Sequence, residues 1–179
     1  MGEPVSVRTA TGGDAGAIAA IYAHYVEHSS ITFELTPPDA AEITARMAHV
    51  LPHYPFLVAE RAGRVAGYAY AGKLYERAAY RWAAETTVYV AADHHRQGIG
   101  QTLYAVLIAS LAQQGFQTAV GKITLPNAAS VALHEAFGFV RSGILTRVGY
   151  KQGGWHDVGI YQLELGMRPA RPEETRPFI

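Results

Sequence analysis

Between Ala84 and Gln114 a glutamate sits inside an alternating apolar run, and two glycines stand a few residues on at the head of a helical pattern. Glu85-Thr86-Thr87-Val88-Tyr89-Val90 has the period of a half-buried strand, with Glu85, Thr87 and Tyr89 on one face and Thr86, Val88 and Val90 on the other. On an interior strand, desolvation raises the pKa of such a carboxylate and makes it a proton acceptor; on an edge strand it is a solvated charge. After a loop, Arg96-Gln97-Gly98-Ile99-Gly100 opens a segment in which Leu103, Val106, Leu107 and Leu111 recur at helical spacing. Gly98 and Gly100 let backbone approach a ligand closely. The unpaired N–H groups of the first helical turn, with the positive dipole end behind them, then form an anion site suited to phosphate. Leu103 stands where a dinucleotide fingerprint needs a third glycine, and no Gly-Lys-Ser/Thr follows to make a P-loop. What remains is a glycine loop suited to a pyrophosphate.

His24 and His28 are four apart on a helical stretch, a metal-ligand spacing, but no third ligand accompanies them and no HExxH occurs, so no metal is expected. Fifteen basic and fifteen acidic residues cancel, which leaves no electrostatic footprint for nucleic acid or an anionic membrane. The absence of cysteine excludes disulfides and thiolate catalysis. No apolar run reaches membrane-spanning length, and the opening Met1-Gly2-Glu3-Pro4 is neither a signal peptide nor a convincing myristoylation site, so a soluble cytoplasmic protein is expected.

The elements that must position these groups read as βααβββαβαββ. Val5–Arg8 is a first strand, and Ile18, Ile21, Tyr22 and Tyr25 stripe a first helix. Residues 29–35 are extended or irregular. Ala40–Val50 is a second helix behind Thr36-Pro37-Pro38-Asp39. Residues 56–60 and 65–70 form a hairpin, and 72–81 a loop rich in aromatic and charged groups. After the central strand and helix come a strand over 117–124 and a short helix from Asn127 to Gly138. Two last strands over 139–146 and 161–165 are separated by a turn over 150–157. The expectation is an α/β fold, a mixed twisted sheet with helices on both faces, as one domain over 1–166. A tail over 167–179, with proline at 169, 172 and 177, lies on the surface or on a partner subunit.

The glycine loop resembles the coenzyme A pyrophosphate loop of the GNAT N-acetyltransferases, with His95 and Arg96 at its head. Glu85-Thr-Thr-Val-Tyr-Val90, Leu125-Pro-Asn127, Leu133-His-Glu-Ala-Phe-Gly-Phe139 and Gly153-Gly-Trp-His-Asp-Val-Gly159 are similar to the phosphinothricin N-acetyltransferase subfamily, from about Val5 to Leu165. The resemblance implies a GNAT fold, acetyl-CoA as cosubstrate and a homodimer. It implies transfer to the α-amine of a glutamate-like amino acid: phosphinothricin, methionine sulfoximine or sulfone, or an arsenic analogue. Glu85 is then the base, directly or through a water. His134 is a proton donor to the thiolate or an orienting group; read without the resemblance, it is a solvent-facing helix histidine. Backbone of Val88, Tyr89 and Val90 holds the oxyanion and the pantetheine amides. Residues His95, Arg96, Gln97, Gly98, Ile99, Gly100 and Gln101 hold phosphate, with Asn127 and Ser130 on the pantetheine. Asn127 is an equally good helix N-cap. Phe33, Arg77, Tyr80 and Val158 line the acceptor pocket, although Phe33 read alone is a core residue and Arg77 a solvated one. Acetylation of a protein terminus or lysine, and a non-catalytic acyl-CoA sensor, are the competing functions.

Overall fold

The computed structural model describes residues 4–179, so the opening Met1–Glu3 lies outside the described residues. Strands β1 (Ser6–Thr9), β2 (Phe56–Arg61), β3 (Arg64–Lys73), β4 (Ala83–Val90), β5 (Thr118–Leu125), β6 (Val140–Lys151) and β7 (Gly154–Glu164) alternate with helices α1 (Ala15–His28), α2 (Ala40–Val50), α3 (Ile99–Gln114) and α4 (Ala128–Ala136). This is the order read from the sequence. The strands make one sheet, β1-β2-β3-β4-β5-β7-β6, antiparallel except where β4 meets β5.

Helices cover both faces. Ile18, Tyr22, Val26, Ile43 and Met47 of α1 and α2 pack on Phe56, Val58 and Tyr68. On the opposite face Leu103, Tyr104, Leu107 and Leu111 of α3 press onto alanines 59, 66, 69, 71, 84 and 119. Small residues there let α3 lie close to the sheet. Gly67 marks the tightest point, since a Cβ on it would come within 2.9 Å of the Tyr89 carbonyl and 3.2 Å of Ile99. Burial at this contact therefore fixes where the head of α3 stands relative to β4.

The parallel pairing of β4 and β5 covers only Ala83, Ala84 and Glu85 against Thr118, Ala119 and Val120. Beyond Glu85 the two strands diverge, and a wedge opens in the middle of the sheet. In contrast, the last two strands are longer than the sequence pattern suggests. The expected turn over 150–157 shrinks to Gln152-Gly153, both at positive φ, and Tyr150 pairs with Trp155 and Gly149 with His156 across the ladder. The Gly-rich run reads as a loop because only the twist-matched two-residue turn, not the glycine count, decides where a hairpin folds back. Residues 167–179 lie back on the body: Trp82 Nε1 donates to Glu173 O (2.7 Å), Arg81 grips the Glu174 carboxylate, and the Arg176 amide donates to Gln114 O (2.8 Å).

Candidate active site

Antiparallel alternation sets what faces the wedge. Because Ala91 N–H bonds Ala66 O on the β3 side and Trp82 O accepts from Gln117 and Thr118 on the β5 side, the backbone groups of Thr86, Val88 and Val90 turn into the gap. Tyr89 points its backbone to β3 and its ring to Tyr22, Tyr25 and Tyr68 on the α1 face. The Val90 carbonyl is already taken by Tyr25 Oη (2.6 Å), with His95 Nε2 3.1 Å away; the N–H groups of Val88 and Val90 remain for a ligand.

At the wide end of the wedge stands the head of α3. Gly98, at φ +81°, is its N-cap, and Thr102 is the first residue whose N–H is paired, to Gly98 O at 3.0 Å. The N–H groups before it are left for an anion. A Cβ on Gly100 would meet Leu133 and Val90 at ordinary contact distance, so packing within the protein does not demand glycine there. A cavity of about 750 Å³ runs along this face, lined by Val88, Tyr89, Val90, His95, Arg96, Gly98, Ile99, Gly100, Gln101, Asn127 and Ser130. Most of the loop residues expected to bind coenzyme thus come together, with Tyr25, Ile31, His94 and Leu133 beside them. Gln97 turns away, to the Asp93 carbonyl and Arg61, and Ile99 buries its side chain in the core. His94 Nδ1 is buried with no partner among the described residues, a polar atom left for whatever fills this cavity.

A second cavity, about 310 Å³, shares Ile31, Val88, Tyr89, Asn127 and Ser130 with the first and reaches Phe33, Tyr70, Glu85, Lys122, Thr124, His134 and Val158. Volumes of this order hold a small metabolite and a cofactor tail respectively. Glu85 lies where the strands part, on a central strand, and its Oε2 accepts from Lys122 Nζ at 2.7 Å. Lys122 escaped the sequence reading; its signal was a lone charge in the apolar alternation of β5. Arg77 and Tyr80 are outside the lining: Arg77 caps a short turn, and the Tyr80 ring packs on Tyr75, which lies under Lys122. Phe33 seats its ring on Gly149, where a Cβ would collide with it, and Lys151, buried, donates to Thr32 O (2.9 Å). The β6–β7 hairpin therefore holds the 29–35 loop over the cavity. Burial pushes the Lys151 ammonium below its ordinary pKa.

His134 is not solvent-facing; it is 3% exposed. Its Nδ1 donates to Ser130 O (2.8 Å), which fixes the tautomer and leaves Nε2 to accept from Tyr104 Oη (2.7 Å); Tyr104 in turn accepts from Thr86 Oγ1 (2.8 Å). Burial lowers the imidazole pKa and raises that of the Tyr104 hydroxyl, so both groups are neutral at neutral pH. Asn127 is the N-cap of α4, accepting from Ser130 N–H at 3.1 Å, and also lines both cavities. Among the described residues no three His, Asp or Glu side chains converge on a metal-sized site.

Residues 7–160 match the acetyltransferase (GNAT) domain family. The chain is 46% identical over 174 residues to a phosphinothricin N-acetyltransferase of Streptomyces viridochromogenes, covering 97% of this chain and 94% of the relative. It is 37% identical to an L-methionine sulfoximine/L-methionine sulfone acetyltransferase of Pseudomonas paraeruginosa, covering 93% and 98%. The crystal structure of a GNAT superfamily phosphinothricin acetyltransferase from Sinorhizobium meliloti, in complex with AcCoA, superposes with TM-score 0.91 at 34% identity over 95% of this chain and 94% of that one. The overall fold is thus shared with an acetyltransferase crystallised with AcCoA, and this chain belongs to the GNAT family of N-acetyltransferases.

Proposed function

We propose that the chain transfers the acetyl group of acetyl-CoA to the α-amine of a small glutamate-like amino acid: phosphinothricin, methionine sulfoximine or sulfone, or an arsenic analogue. The observation that carries this is the position of Glu85, at the vertex of the wedge, inside a metabolite-sized cavity that opens into the larger one. Acetyl-CoA supplies the activated thioester. The N–H groups heading α3 hold its phosphates, and Val88 and Val90 N–H offer hydrogen bonds to pantetheine amides and to the thioester oxygen as charge develops on it. Glu85 accepts the proton of the incoming ammonium. Of the two roles the resemblance implies for His134, the engaged ring nitrogens support orientation, with Ser130 and Asn127 on the same helix. Phe33 and Val158 shape the acceptor pocket, and Arg77 and Tyr80 act from its rim.

Replacing Glu85 with Gln should lower kcat by about 10²- to 10⁴-fold near neutral pH, as loss of a general base does, and by less at high pH, where more amine is already free. Equal loss at every pH, measured as thiol release, would argue against a proton-accepting role. We also propose a homodimer formed through β6, an edge strand whose Val140, Ile144, Leu145 and Val148, with Tyr150 and Trp155 nearby, expose apolar surface along an unpaired ladder. A catalytic domain over 1–166 with 167–179 tied onto it, working in the cytoplasm, completes the reading; no helix among the described residues is long and apolar enough to cross a membrane.

A further inference from the structure

The two charged side chains that line the acceptor cavity, Glu85 and Lys122, are paired to each other across the mouth of the wedge, 2.7 Å apart. Glu85 comes from β4 and Lys122 from β5. Both project to the α1 face, since Ala84 and Thr86 on one strand and Gly121 and Ile123 on the other turn toward α3 and α4. Each side chain is about one-third exposed, so the pair opens at little cost and is screened by solvent. Among the described residues nothing else ties Lys122 down beyond the Tyr75 ring 5.4 Å from its ammonium, a cation–π contact that steadies the side chain without consuming its hydrogen bonds.

An α-amino acid carries an ammonium and a carboxylate on one carbon, at about the separation of the two ends of this ion pair. We propose that Lys122 is the residue that binds the α-carboxylate of the acceptor. The substrate inserts into the Glu85–Lys122 pair: its ammonium goes to Glu85 and its carboxylate to Lys122, exchanging one internal ion pair for two. This rests on the reading of the cavity as an acceptor site for amino acids, and it adds what that reading lacks, a requirement for a free α-carboxylate. A plain amine can reach Glu85 only by breaking the ion pair with nothing to give Lys122 in return, whereas an amino acid replaces the broken pair with two. The exchange also gives Glu85 its function at the right moment. While paired with Lys122 its carboxylate is occupied; once the substrate carboxylate has drawn Lys122 off, Glu85 faces the ammonium alone and takes one proton from it.

The test uses methionine sulfone, its α-carboxamide and its decarboxylated amine with the full-length wild type, Lys122→Met and Lys122→Arg. In the wild type kcat/KM should favour the acid over the carboxamide by at least about tenfold, because a site built for a polar group rejects the analogue that lacks it. Lys122→Met should abolish that preference, chiefly by raising KM for the acid, with KM for acetyl-CoA unchanged; Lys122→Arg should keep most of it. Calorimetric titration of the acid and the carboxamide against enzyme holding coenzyme A should show the same change in Kd ratio without any turnover. An acid-to-carboxamide ratio that survives in Lys122→Met overturns the assignment while leaving the acetyltransferase reading intact. If wild type acetylates none of the three, nor phosphinothricin, methionine sulfoximine or the arsenic analogue, with acetyl-CoA still raising Tm, the amino-acid reading fails and takes this assignment with it.

Discussion

His134, expected as a proton donor or an orienting group, is held by its neighbours at both ring nitrogens. A histidine in a helix is an acid–base candidate anywhere, but here Gly121 leaves room for its ring against β5, and Ser130 and Tyr104 claim its two nitrogens. Its pKa lies below the ordinary 6.5 because burial disfavours the cation. The folded protein therefore resists protonation that the unfolded chain accepts, and the unfolded state binds more protons as pH falls below about 6.5. His134 contributes stability above that pH and loses it below, by at most about 1.4 kcal/mol per pH unit. Urea denaturation of His134→Gln should give a shallower acid limb than wild type; matching slopes between pH 7 and 5 would show that this ring does not stay neutral. Glu85 was legible because its strand pattern is strong. Lys122 was not: its partner lies 37 residues away, and a lone lysine in an apolar strand carries no message until the strand next to it is known.

At the scale of elements, helix periodicity placed α2 and α4 to within a residue or two and marked the buried stripes of α1 and α3, because apolar spacing and caps such as Asp39 and Asn127 are local signals. The divergence of β4 from β5 had no such signal, since pairing between strands distant in sequence decides it and neither strand's own pattern changes at the vertex. Arg77 and Tyr80, placed in the pocket by resemblance, stand outside its lining for a similar reason: the loop over 74–82 is positioned by its tertiary contacts, Tyr75 on Lys122 and Arg81 on Glu174. The glycine loop, by contrast, was readable and its cost is calculable. Gly98 holds a left-handed conformation, so Gly98→Val should destabilise the fold by about 1–2 kcal/mol from backbone strain and remove the Tm increase produced by acetyl-CoA. An unaltered ligand-induced shift would mean the anion binds elsewhere.

At the scale of the whole molecule, class and the order of elements along the chain followed from the alternation of periods, while the order of strands within the sheet, assembly and the resting place of the C-terminal tail did not, because surfaces and long-range pairings carry few local rules. The proposed dimer is tested at the exposed β6 edge: Ile144→Asp should leave monomer folding intact and shift light-scattering mass from two chains to one, whereas a wild type that is already monomeric would overturn the dimer. The split sheet has a mechanical side as well. Three residue pairs between β4 and β5 make it two plates on a hinge. The segment after β7 leaves one plate and is anchored at Trp82 and Gln114, beside the other, which makes it a latch across the joint. Coenzyme bound along Val88 and Val90, as proposed, supplies rungs the hinge lacks, so adding acetyl-CoA should slow amide hydrogen exchange in β4 and β5 and turn a pliable joint into a braced one.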